Sequence, residues 1–310
     1  MKQRILIVGQ GSFLAENIKA HFLRNDYCVN CVRNDFFLDN FDNLSSLDTS
    51  LEESDIIIAS GIDSISEGWK RPAETLKSQF FVGLKILWYL KAKGFKNRII
   101  FIGSGEEYGS VENVSLGIDE KTPLNPLNIY GASKSCQTLF AQLFEKTFGL
   151  DILIIRCFNE IGEGQDERFF VSYLCKKAAE AKHKGKTAAS VSVGNLLIQR
   201  CFIDVRDISR AIQLLIENGK SGEIYNVGSE NSIELGTLVK LISEVSKVEI
   251  HCKADPTKFR LLDPPNLIPS IKKIRDETGW EPIFSLENTL KHIFNYWIRY
   301  LENEEKITLD

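Results

Sequence analysis

Tyr130 and Lys134 stand four residues apart in the run Asn128-Ile-Tyr-Gly-Ala-Ser-Lys134. On a helix that spacing puts both side chains on one face. An ammonium beside a phenol favours phenolate and turns a weak acid into a proton donor or acceptor. Taken alone, Y-x-x-x-K also fits a surface tyrosine lying on a lysine stem. What singles out this pair is its place in an ordered series. A serine turn, Phe101-Ile-Gly-Ser104-Gly-Glu106-Glu107-Tyr108-Gly109, follows an aliphatic run upstream of it. A hydroxyl at a strand end can hydrogen-bond a carbonyl or alkoxide while Tyr130 exchanges the proton, although the same residues suit an ordinary Ser-Gly turn.

Near the start of the chain, Val8-Gly9-Gln10-Gly11-Ser12-Phe13-Leu14-Ala15 joins an aliphatic run to an amphipathic one. Glycine at such a turn lets the backbone approach a pyrophosphate, and the following helix supplies amides and a favourable dipole. In a G-x-x-G-x-x-G reading the second and third glycines are Ser12 and Ala15, both small. The next strand end chooses the cofactor. An acid there would bond the ribose hydroxyls of NAD, whereas Arg33-Asn34 offers a cation suited to a 2′-phosphate. NADP is therefore expected, and the nearby Asp35 keeps NAD as an alternative. Asp39 could meet the adenine amine or stand as a solvated loop acid.

The elements that must position these residues alternate, as in a parallel sheet covered on both faces. Strands are expected at 4–8, 27–32, 55–59, 98–102 and 151–156. Helices are expected from Ser12 to Arg24, from Pro72 to Lys93 with Gly94 closing it, and from Asn128 to Phe148 with Gly149 as the stop. These are βαβ units of a doubly wound α/β fold, whose ligands bind at the carboxyl ends of the strands. Beyond Asn159 strands are shorter. Residues 202–205 and 223–227 read as strands returning to the sheet, and helices are expected at 207–218, 234–246, 270–278 and 285–302. Lys182-His183-Lys184-Gly185-Lys186 reads as a solvated loop and the tail after Glu302 as frayed. The expected organisation is a cofactor-binding domain at 1–160 plus about 199–229, with a smaller interleaved substrate lobe at 161–198 and 230–310.

With 310 residues, 43% of them hydrophobic, the chain can bury a large core, and two lobes are expected. A net charge of −4 argues against a nucleic-acid partner. No apolar run approaches the roughly 18 residues of a membrane helix, and the opening residues lack a signal-peptide layout. Seven cysteines are scattered without metal-ligand spacing and read as reduced, mostly buried thiols. Cys28 and Cys31 form a C-x-x-C, but on a strand they point to opposite faces. No metal is expected, and the chain reads as a cytoplasmic enzyme.

Taken in order, these motifs resemble the extended short-chain dehydrogenase/reductases that act on nucleotide sugars. Arg156-Cys-Phe-Asn159-Glu-Ile-Gly162-Glu-Gly164-Gln165, Val193-Gly194-Asn195-Leu196 and Arg200-Cys-Phe-Ile-Asp204-Val205-Arg206-Asp207 are similar to segments of the GDP-mannose 4,6-dehydratases and GDP-4-keto-6-deoxy-D-mannose reductases. Tyr225-Asn226-Val227-Gly228-Ser229, Asp255-Pro256 with Arg260, and Thr278-Gly279-Trp280-Glu281-Pro282 continue the register. The resemblance implies a Rossmann-type domain with Gly9, Ser12, Phe13 and Leu14 along the pyrophosphate, Arg33 at the 2′-phosphate, and Ala59, Ser60 and Gly61 beside the nicotinamide half. It implies that Ser104 and Tyr130 hold the sugar oxygen and that Lys134 holds the nicotinamide ribose. It further implies that Asn159, Asn195, Arg200 and Arg260 take the nucleotide diphosphate, and that the chain is a homodimer.

Three positions depart from the family pattern. Glu163 replaces a proline, Cys201 replaces an acid, and Gln79 stands where asparagine is usual, with a one-residue shift before Gly83. Ser104-Gly105-Glu106 resembles the reductase turn more than the dehydratase one. The implied function is NADPH-dependent reduction of the C4 ketone of a 4-keto-6-deoxy sugar carried on a nucleotide, by resemblance GDP. Glu106 keeps a 4,6-dehydratase as the alternative, with a 4-epimerase behind it. A cofactor-sensing protein without catalysis is the competing class.

Overall fold

Alternate residues of the aliphatic runs are buried on opposite faces of one sheet. Ile5 and Ile7 join Ile100, Ile102, Leu153 and Ile155 in one core. Leu6 and Val8 join Ile56, Ile58, Phe101 and Ile154 in another. A strand buried on both faces is the signature of a parallel sheet, and the computed structural model contains one. It describes residues 2–33, 51, 53–60, 65–111, 117–259 and 267–309, with side chains as far as 305.

The strands in chain order are β1 (Arg4–Val8), β2 (Cys28–Val32), β3 (Ser54–Ile58), β4 (Ile99–Ser104), β5 (Ile152–Cys157), β6 (Glu160–Ile161), β7 (Ala188–Val193), β8 (Gln199–Cys201), β9 (Ile203–Asp204), β10 (Ile224–Val227), β11 (Ser232–Glu234) and β12 (Glu249–Ala254). Six of them form a sheet in the order β2-β1-β3-β4-β5-β10, and every pairing is parallel. The order reverses beside β1, which opens a crevice at the carboxyl ends of β1 and β3. Helices Phe13–Arg24 and Val205–Asn218 cover one face through Ile18, Phe22, Ile208, Ile212 and Leu215. Helices Val82–Ala92 and Ile129–Phe148 cover the other through Val82, Ile86, Leu90, Ala141 and Phe144.

A separate core gathers Val171, Leu174, Val191, Leu238, Ile293 and Trp297. It lies among helices Phe170–His183, Leu235–Ser246 and Leu286–Leu309 and the parallel pair β7 and β12. Among the described residues no helix is long and apolar enough to cross a membrane.

Five expectations need correction. The helix expected from Pro72 to Lys93 runs as Pro72–Leu76 and Val82–Ala92 around a π turn, Lys77–Phe81. A π turn takes one extra residue, which accounts for the one-residue shift before Gly83. The strand expected at 202–205 shortens to β9 and pairs with β6 instead of the main sheet. The last helix continues to Leu309, so the tail after Glu302 is helical. Lys182 and His183 close helix Phe170–His183, with Lys182 Nζ donating to the Ser246 carbonyl at 3.2 Å and lying over the Phe294 ring, so the exposed loop is confined to 184–186. Of the seven cysteines, all free, only Cys157, Cys175 and Cys201 are buried.

The start of the Tyr130 helix packs against the serine turn, and the contact is close. Asn128 caps it by accepting the Gly131 amide at 2.8 Å. A Cβ on Gly131 would lie 2.4 Å from the Glu106 carbonyl oxygen. Helix propensity alone favours alanine at Gly131 by about 1 kcal/mol, whereas the overpacking costs about 1–3 kcal/mol. Urea unfolding of Gly131→Ala should therefore give a net loss of stability, and a gain would mean that helix and turn are not in contact.

Candidate active site

The glycine turn has no room for a side chain at Gly9. Gly9 has φ +133°, and a Cβ there would lie 2.4 Å from the Ala59 carbonyl oxygen. The Gly9 and Gln10 amides both donate to the Val32 carbonyl, at 2.9 and 3.0 Å, which brings the end of β2, and so Arg33, to the turn. Ser12 caps the first helix by accepting the Ala15 amide at 3.3 Å. The Gly11 amide donates to Glu16 Oε1 at 3.0 Å, so this helix start already holds an anionic oxygen. Ser12, Phe13, Leu14, Ala59 and Ser60 line one pocket. Ser60 Oγ is buried there with no hydrogen-bond partner among the described residues. A small-residue cradle, a helix start that already accommodates an anionic oxygen and an orphaned hydroxyl fit a dinucleotide. Arg33 is exposed at the sheet edge. Asp39, Gly61 and Arg260 lie outside the described residues.

Ser104, Tyr130 and Lys134 line the same pocket, together with Ile102 and Gly103 from the end of β4. Lys134 is 5% exposed. Its ammonium donates to the Ile102 carbonyl at 2.8 Å, the Ser60 carbonyl at 3.3 Å and Gln137 Oε1 at 3.4 Å. The lysine therefore ties its helix to the ends of β3 and β4. Ser104 Oγ accepts the Glu106 amide at 3.2 Å, which leaves its own proton to donate.

Glu106, the candidate acid of the turn, is set apart from this group. Its Oε2 accepts from Asn128 Nδ2 at 2.9 Å, so it braces the cap of the Tyr130 helix, and it is not among the residues that line the pocket. Three residues to which the sequence assigned no role in the site also line it. Gln79, fully buried on the π turn, accepts from Ser133 Oγ, and its carbonyl receives Gln137 Nε2 at 3.4 Å. Cys157 pairs in register with Ser104 across β4 and β5, and Glu160 lies three residues further on. Burial, and then the Glu160 carboxylate, hold the Cys157 thiol well above its ordinary pKa, so it is a neutral wall. The signal for both was the strand-end rule: residues at the carboxyl end of β5 must adjoin those at the carboxyl end of β4.

Asn159, Asn195 and Arg200 are not among the pocket-lining residues. Asn159 has φ +40° and its carbonyl accepts the Ile203 amide, which joins the link between β5 and β6 to β9. Asn195 Oδ1 accepts the Leu197 amide at 3.0 Å. Arg200 is buried on β8, and its guanidinium donates to the Gln199 carbonyl at 2.7 Å. A Cβ on Gly194 would lie 2.6 Å from the Lys258 carbonyl, so Asn195 adjoins the turn that leads toward Arg260.

Residues 12–293 match the protein family described as GDP-mannose 4,6 dehydratase. The chain belongs to that family. It is 29% identical over 299 residues, 96% of this chain and 98% of the relative, to a GDP-6-deoxy-D-mannose reductase of Pseudomonas aeruginosa. A UDP-glucose 4-epimerase of Corynebacterium glutamicum is 27% identical over 70% of this chain and 68% of its own. Among solved structures, RMD from Pseudomonas aeruginosa complexed with NADPH superposes with a TM-score of 0.88 at 27% identity, covering 96% of this chain and all of the other. A UDP-glucose 4-epimerase of Thermotoga maritima with UDP-glucose gives 0.85 at 22% identity over 96% and 99%, a likeness of fold.

Proposed function

We propose that the protein reduces the C4 ketone of a 4-keto-6-deoxy sugar carried on a nucleotide, by similarity GDP, with NADPH as reductant. The reading rests on Ser104, Tyr130 and Lys134 lining the pocket that begins at the glycine turn, and it agrees with the reductase relative and with the NADPH-bound RMD structure. Gly9, Ser12, Phe13 and Leu14 would hold the pyrophosphate, Arg33 the 2′-phosphate, and Ala59 and Ser60 the nicotinamide half, while Lys134 would exchange its longest bond, to Gln137 Oε1, for the ribose. When bound, NADPH supplies the hydride. The Ser104 hydroxyl donates to the ketone oxygen and Tyr130 delivers the proton as that oxygen becomes an alkoxide, with Lys134 setting the Tyr130 helix at the right depth. Fixed donors at the developing alkoxide contribute a few kcal/mol in sites of this kind.

The turn favours reduction over dehydration. Expelling the C6 hydroxyl needs an acid over the sugar, and Gly105 has none while Glu106 is engaged by Asn128. Glu160 is the carboxylate that does line the pocket, and it supports the 4,6-dehydratase as a second reading. We place the sugar-nucleotide lobe at 161–198 and 230–310 and the cofactor domain at 1–160 plus about 199–229. Asn159, Asn195, Arg200 and Arg260 take the diphosphate, since a guanidinium fork suits phosphate oxygens. Seven free cysteines fit a reducing, cytoplasmic setting.

We also infer a homodimer. Phe81 and Trp88 on one side and Phe140, Leu143 and Phe148 on the other leave an apolar groove between neighbouring helices. Trp88 and Leu143 are each more than half exposed. A second copy of the same helix pair covers such a face symmetrically.

Three measurements check these readings. Wild type given GDP-4-keto-6-deoxymannose should oxidise NADPH in proportion to substrate, and Tyr130→Phe should bind NADPH normally but turn over about 100-fold or more slowly. No NADPH loss with active substrate would refute the reductase reading. Arg33→Ala should weaken NADPH far more than NADH, and equal losses would remove Arg33 from the 2′-phosphate site. Light scattering at micromolar concentration should give twice the chain mass for wild type and a lower mass for Trp88→Glu; a monomeric wild type would contradict the dimer.

A further inference from the structure

Glu107, one residue beyond the engaged Glu106, is a carboxylate with no exposed surface. Its Oε1 accepts the Ser104 backbone amide at 2.9 Å. Its Oε2 accepts from Thr138 Oγ1 at 2.8 Å and from Arg156 Nε at 3.1 Å. Three elements meet on this one group: the end of β4, the Tyr130 helix one turn beyond Lys134, and β5. Gly103 makes the room, since a Cβ there would lie 2.4 Å from Glu107 Oε1. Arg156 supplies the counter-charge, donates to Tyr108 Oη at 2.8 Å and lies over the Tyr108 ring. Tyr108, whose pKa burial pushes up to about 12, donates in turn to Asn226 Oδ1 on β10 at 2.8 Å. The carboxylate is thus held from behind by a buried network that reaches the edge of the sheet.

We propose that Glu107 is a positioning residue for the reduction, fixing the Ser104 hydroxyl relative to Tyr130 by clamping the Ser104 amide and Thr138 together. The proposal rests on the reductase reading of the pocket. Lys134 fixes the depth of the Tyr130 helix against Ile102, and the Glu107–Thr138 bond, one turn further on, fixes its rotation against Ser104. With the Asn128–Glu106 brace at the helix start, these two attachments on one face hold the helix against slide and roll. Losing the second lets the phenol and hydroxyl drift apart while the glycine turn, on other strands, is untouched.

Thr138→Val tests the clamp without leaving Arg156 unpaired, and Thr138→Ser keeps the hydroxyl. With NADPH and GDP-4-keto-6-deoxymannose, Thr138→Val should lower kcat about 5- to 20-fold with KM and NADPH Kd within about twofold, and Thr138→Ser should restore most of it. In a Ser104→Ala background Thr138→Val should cause little further loss, because both act through one hydroxyl. An unchanged kcat, a loss that adds fully to that of Ser104→Ala, or a matching loss of NADPH affinity would overturn the proposal. Amide exchange at Ser104 needs no substrate: Glu107→Gln should speed it about tenfold or more in a folded protein, and unchanged exchange would overturn the clamp. A wild type that turns over no 4-keto sugar would fail the reductase reading alone, and the exchange measurement would still decide the clamp.

Discussion

The hydrogen bond from the Lys134 ammonium to the Ile102 carbonyl, 2.8 Å long, is the constraint on which the site depends. It joins the helix that carries the phenol to the strand that carries the serine. A buried ammonium must find acceptors, and Lys134 finds them in the carbonyls that the ends of β3 and β4 leave outside the sheet ladder. The cost of burying the charge is thereby turned into geometry, because the helix can sit at only one depth. The same strand ends border the glycine turn. A cofactor lying along that turn and a ketone held by Ser104 and Tyr130 would consequently face each other across Lys134.

Glycines act here by permitting contact. Gly9 lets the turn press on Ala59, Gly103 admits the Glu107 carboxylate, and Gly131 lets the helix start meet the serine turn. Each is a place where one added carbon would separate two groups the chemistry needs together. The polar residues behind them, Glu107, Arg156, Tyr108 and Asn226, are bonded to one another in a chain. A buried network of this kind is stable only when each member is satisfied.

Much of this could be read from the sequence because two-sided burial writes itself as unbroken aliphatic runs. Strands β1 to β5 and the helices starting at Phe13 and Ile129 fall within two residues of their expected places. Capping chemistry fixed their ends, with Ser12 and Asn128 at the starts and Gly149 at a stop. What could not be read were features decided by contacts between distant residues. The π turn at Lys77–Phe81 leaves only a shifted motif in the sequence. The bond that Asn128 donates to Glu106 joins residues 22 apart in the chain, and no spacing rule announces it. Glu107, Cys157 and Glu160 stand inside quoted motifs, but their roles emerge only when β4 and β5 lie side by side. The two-residue strand β9 was too short for any pattern to say which partner it takes.

The central claim is a net transfer of hydride to C4 of the sugar in this pocket. The direct measurement is to supply NADPH deuterated at the transferable nicotinamide position, with GDP-4-keto-6-deoxymannose, and to locate deuterium in the product by NMR. The account predicts one deuterium on C4 of a 6-deoxy sugar for each NADPH consumed. Product without deuterium at C4, or dehydration of a GDP-hexose with no net NADPH consumed, would contradict it.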